Sequence, residues 1–94
     1  MPLFALVCID KPNALPVRMG ARENHLAYVR ERMHMMKLGG PFLDQNGDMA
    51  GSLMIIEAED IDAARAFNAN DPYTLAGLWL SVDIRPYRVT IGEL

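Results

Sequence analysis

Leu3-Phe4-Ala5-Leu6-Val7-Cys8-Ile9 is apolar at every position, so read with period two it offers apolar side chains to both faces of a strand. Such a strand belongs to a sheet covered on both sides, and something must pack against each face. Leu53-Met54-Ile55-Ile56, inside a predicted strand from Ser52 to Ala58, repeats the pattern. The first run is too short to span a membrane or form a signal core, and no basic segment precedes it.

Working outward, Asp10-Lys11-Pro12-Asn13 ends the first strand, and a helix is predicted from about Val17 or Arg18. Met19, Leu26, Val29, Met33 and Met36 recur at helical spacing and form one apolar stripe, expected to pack in the core. A turn of about 100° per residue puts Arg22 along that stripe and His25 roughly 60° from its centre, between the buried face and solvent. His34 projects from the opposite side. Leu38-Gly39-Gly40-Pro41 reads as the helix stop, with a short strand beginning at Phe42. Asn46-Gly47 signals a hairpin turn into the strand that starts at Ser52.

Asp60 has the position of an N-cap for a second helix through Asn68, with Ile61, Ala64 and Phe67 facing inward. Pro72 stops that run, and Asp71 can cap a short helix from Pro72 to Ala76 that Gly77 closes. Leu78 to Arg85 then alternates, with Leu80, Val82 and Ile84 on one face. Pro86 is expected to interrupt it, leaving Tyr87 to Ile91 as a terminal edge segment. The order β-α-β-β-α-β is the split βαβ of a ferredoxin-like α+β fold, an antiparallel sheet with helices on one face. The doubly apolar first and third strands leave the opposite face to a second copy, so a homodimer packed sheet to sheet is expected.

The 94 residues suit one domain over 1–94. Net charge is −3 with acids and bases interspersed, which argues against a surface that tracks phosphates and hence against a nucleic-acid partner. Cys8 is alone, so neither a disulfide framework nor a CxxC site is available, and a cytoplasmic location with no membrane association fits best.

Two residues carry the chemistry. An aspartate bonded to one imidazole nitrogen fixes the tautomer and strengthens the other nitrogen as a base, and His25 with Asp71 can form such a pair. Asp71 can equally serve as a cap alone, and His25 as a core-edge histidine bonded to a backbone carbonyl. Arg22 is a candidate anchor for a carboxylate or enolate oxygen, or else an ion-pair partner of Glu23 or Asp62. Tyr73 and Trp79 can wall a flat substrate or serve as ordinary core. Ser52 and Ser81 lie in strands without a nucleophile elbow, and Gly39-Gly40 and Gly51-Ser52 lack the lysine and strand-to-helix context of a phosphate loop. His25 and His34 face different directions, so no metal site is expected.

Arg22-x-x-His25-Leu26, Gly40-Pro41-Phe42, Gly51-Ser52, Asp71-Pro72-Tyr73, Ala76-Gly77-Leu78 and Ile84-Arg85-Pro86-Tyr87, in that order, resemble the YciI-like (YCII-related) family across nearly the whole chain. The resemblance implies a dimeric α+β barrel in which a histidine and an aspartate line a cleft and act in acid–base chemistry. From these residues and that cleft together, the expectation is a cofactor-independent small-molecule enzyme of isomerase or lyase type, with His25 as base, Asp71 orienting it, and Arg22 and Tyr73 holding the ligand in the cleft. A non-catalytic ligand-binding or dimerisation module of the same fold is the competing expectation.

Overall fold

The computed structural model describes residues 1–94. The elements are β1 (Leu3–Asp10), α1 (Leu15–Arg30), β2 (Met36–Leu43), β3 (Met49–Glu57), α2 (Ile61–Ala69), α3 (Pro72–Leu75) and β4 (Trp79–Tyr87). The four strands form one antiparallel sheet in the order β2-β3-β1-β4, the ferredoxin-like α+β arrangement.

Register decides which apolar face is which. Phe4 pairs with Ile56, Leu6 with Met54 and Cys8 with Ser52, and all six are buried. Phe4, Leu6, Met54 and Ile56 form the main core with Ala64 and Phe67 of α2, so the even-numbered side chains of β1 meet the helix layer. The odd-numbered set, Leu3, Ala5, Val7 and Ile9, lies on the other face beside Leu53 and Ile55. Ile9 is exposed there, and Leu3, Val7 and Leu53 are half-buried.

Local chemistry explains the punctuation. Asp60 Oδ1 accepts the amide of Ala63 at 2.8 Å and caps α2, where Asp62 adds negative charge in the first turn. Gly77 closes α3 at φ +71°, a left-handed conformation that a side chain would strain. In the β2–β3 hairpin Asp44 Oδ1 accepts the amides of Asn46 and Asp48, and Gly47 sits at φ +83°.

The structure corrects several boundaries. α1 begins at Leu15, with Pro16 in its first turn, and it ends at Arg30. Residues 31–35 form turns, because the chain is drawn onto the sheet edge where Met35 O accepts the amide of Glu57 at 2.8 Å. The stripe expected to run on through Met33 and Met36 therefore breaks: Met19 and Met33 are 52% and 58% exposed and are not core, while Met36 lies in β2. Gly39, Gly40 and Pro41, read as a helix stop, are strand residues of β2; an edge strand tolerates the missing proline amide. β3 starts three residues early, at Met49. β4 runs through Pro86 to Tyr87 along the opposite edge, and residues 88–94 form no strand, so the expected terminal edge segment is absent.

Candidate functional site

The turn between α2 and α3 brings Asp71 under the flank of α1. Asp71 is in extended backbone conformation, and its Oδ1 accepts two hydrogen bonds, from the amide of Tyr73 at 2.9 Å and from His25 Nδ1 at 2.8 Å. Capping and the histidine contact, which the sequence presents as alternatives, are made by the same oxygen. The side chain is wholly buried, and Oδ2 has no hydrogen-bond partner. An ionised carboxylate can only accept, so Nδ1 of His25 carries the hydrogen and Nε2 is left as the basic nitrogen.

Tyr73 holds the imidazole from its face, with ring centroids 4.0 Å apart and planes 15° from parallel. It is buried, and burial raises its phenol above the ordinary tyrosine range, opposed by the charges of Arg18 and Arg22. Trp79 meets Tyr73 edge-on at 5.6 Å and donates from Nε1 to Thr74 Oγ1, whose hydroxyl donates to Asn68 O at 2.6 Å. Tyr73 is thus both core and wall.

His25 and Tyr73 border a cavity of about 340 Å³ between α1 and the β2–β3 half of the sheet. Leu26, Val29, Met36 and Met54 give it apolar walls. Arg22 is an exposed rim residue, not a member of a buried stripe; Asp62, one ion-pair partner considered for it, meets Arg65 instead.

The sequence reading missed Arg18. It is 2% exposed, donating from Nε and Nη2 to the two oxygens of Asp10 at 2.8 and 2.9 Å, and from Nη2 to Ser52 Oγ at 3.0 Å. Its guanidinium lies over the rings of Tyr73 and Trp79, at 4.7 and 5.6 Å from their centroids. Burial opposes the charge, but the hydrogen bond and charge of Asp10 outweigh it and raise the guanidinium pKa above its ordinary value. One signal was available: carrying the alternation of Phe4, Leu6 and Cys8 one step further puts Asp10 on the buried face, where it needs a cation.

Cys8 is buried with Sγ 3.6 Å from Asn68 Oδ1, and burial, then the charge of Asp71, pushes its thiol up to about 12. It remains a thiol and not a nucleophile at neutral pH. His34 is exposed, and no three His, Cys, Asp or Glu side chains come together as a metal site.

The chain matches the YCII-related domain over residues 2–88. It is 32% identical over 93 residues to a protein of Haemophilus influenzae, covering 90% of this chain and 95% of that one. It is 31% identical over 94 residues to the protein YciI of Escherichia coli O6:H1, covering 92% and 96%. Among solved structures it resembles 5-chloro-2-hydroxyhydroquinone dehydrochlorinase from Burkholderia phenoliruptrix AC1100, in complex with 2,5-dihydroxybenzoquinone. The TM-score is 0.85 and the identity 35%, over 92% of this chain and 93% of that one.

Proposed function

The chain belongs to the YCII-related domain family, and on that premise we propose that it is a small-molecule enzyme transferring a proton on a hydroxylated ring, in a lyase or isomerase reaction. The observation that carries the reading is the His25 Nδ1–Asp71 Oδ1 contact of 2.8 Å at the edge of an apolar cavity, which leaves Nε2 for substrate. Similarity to a dehydrochlorinase favours the elimination version. In that step the ring reacts as its keto tautomer, which carries chlorine on a saturated carbon: Nε2 takes a proton from the tautomer, the electron pair left behind forms the new double bond, and chloride departs with its bonding pair. The net change is loss of HCl without oxidation. Asp71 orients the imidazole and stabilises the imidazolium, Tyr73 keeps the ring in plane, and Arg22 meets ligand at the rim. No cofactor enters the step.

The test is chloride release from 5-chloro-2-hydroxyhydroquinone and a panel of related halogenated and hydroxylated rings. His25→Gln is expected to lower turnover roughly 10²–10⁴-fold, the range for a positioned general base. Ligand binding without turnover by any panel member sinks the enzyme reading and favours a binding module.

The functional unit in this proposal is a homodimer closed over the open sheet face, where Leu3, Val7, Ile9 and Leu53 lack a covering layer.

A further inference from the structure

We propose that Arg18 is the residue that selects the ligand, receiving an ionised ring oxygen in the cavity that His25 borders, so that the site takes planar hydroxylated rings as anions. The inference rests on the acid–base reading for its location and deepens it by naming the charge state and the anchor.

The chain carries a net charge of −3, yet no aspartate or glutamate lines this cavity, whereas Arg18, Arg22 and Lys37 all do. Lys37 is engaged by Glu57 at 2.9 Å, and Arg22 sits at the exposed rim, where solvent screens it. Arg18 differs from both. Asp10 and Ser52 take up Nε and Nη2, Nη1 takes part in none of these bonds, and the Tyr73 hydroxyl is a further side-chain partner of the guanidinium at the cavity. A guanidinium locked by a bidentate carboxylate and laid over two aromatic rings cannot turn away, so its remaining N–H groups are preorganised donors beside the cavity. Arg18 and Asp10 together are neutral, so an incoming anion would be held by the directed N–H groups of Arg18, with the charge of Arg22 at the rim to offset its own. The carboxylate nearest the imidazole, Asp71, is fully buried behind it and does not line the cavity, so an anion there makes no direct contact with it. The apolar walls admit a flat ring, and a charged oxygen on that ring has one fixed partner.

The experiment compares 2,5-dihydroxybenzoquinone with its dimethoxy analogue, 2,5-dimethoxybenzoquinone, which has the same ring but no acidic oxygen. Binding is read from quenching of Trp79 fluorescence, the signal of the one tryptophan in the chain, which lies beside Arg18. The wild type is expected to prefer the dihydroxy compound by at least about tenfold in Kd, the size of one charge-assisted hydrogen bond. Arg18→Met with Asp10→Asn removes the buried pair as a unit, and its preference is expected to fall within about threefold. Should the double variant fail to fold by circular dichroism, Arg18→Lys decides: one ammonium held by Asp10 cannot offer the same fork, and the preference is again expected to shrink. A wild type that binds neither compound, or binds both equally, overturns the inference, as does an Arg18 variant that keeps the tenfold preference. Binding needs no turnover, so a failure of the acid–base reading, seen as chloride release that survives His25→Gln, is distinguishable from failure here.

Discussion

Asp71→Ala removes an oxygen that serves two donors, and the cost can be worked from the contacts. The Tyr73 amide loses its cap, worth about 1 kcal/mol. His25 Nδ1, whose side chain is only 12% exposed, loses its acceptor and is left underbonded at about 1–3 kcal/mol. Loss of the unpaired Oδ2 returns part of that, since a buried carboxylate oxygen without a donor is itself unfavourable. The expected net loss is roughly 1–3 kcal/mol, against a total near 5–14 kcal/mol for a chain of this length, or a fall in Tm of about 5–20 °C. Asp71→Asn is the control. Its amide oxygen can keep both bonds at Oδ1, and the NH₂ replaces one unpaired group by another of lower charge, so the loss should stay below about 1 kcal/mol. Urea unfolding followed by circular dichroism measures both. An Asp71→Ala loss below about 0.5 kcal/mol, or an Asn variant as unstable as the Ala variant, refutes the two-donor account.

Turnover should respond in a different order: Asp71→Asn, nearly silent in stability, is expected to lower kcat by roughly 10²-fold or more, because the neutral amide no longer stabilises an imidazolium; single-turnover chloride release tests it. Stability should fall as pH rises from the thiol's ordinary 9.0 towards about 12, since the unfolded chain releases the Cys8 proton and the folded chain keeps it. The contribution is at most about 1.4 kcal/mol per pH unit, and Cys8→Ala should flatten that part of the denaturation profile. Gly77→Ala, at φ +71°, should destabilise by about 1 kcal/mol, and Gly20→Ala, inside α1 with open space around it, should not; matched urea titrations decide. Light scattering at micromolar concentration is expected to give twice the 10.5 kDa chain mass, and Val7→Asp on the open sheet face to halve it. A wild-type monomer would end the dimer proposal.

Signals carried within a few residues were legible from the amino-acid order alone. The all-apolar run of β1, the cap at Asp60, the Asn46-Gly47 turn and the Asp71-Pro72 junction each act through local sterics or one nearby hydrogen bond, and together they dictate the order of elements. Tertiary structure decided what depends on distant partners. α1 stops at Arg30 although the apolar spacing continues, because β3 offers the next segment a backbone ladder, and pairing across a sheet outweighs helical propensity. The pattern of β1 is apolar on both sides, so its alternation could not say which side meets the helices; contact with Ala64 and Phe67 of α2 does. Asp10 and Arg18 looked like the end of a strand and the start of a helix, and they became a buried ion pair once the two ends were folded against Ser52. His25 and Asp71 are 46 residues apart, and each had an adequate local role without the other. Their contact exists because the α2–α3 turn docks under α1, a placement set by the burial of Tyr73 with Ala14 and Ala21, and packing between remote segments leaves no period in the sequence to read.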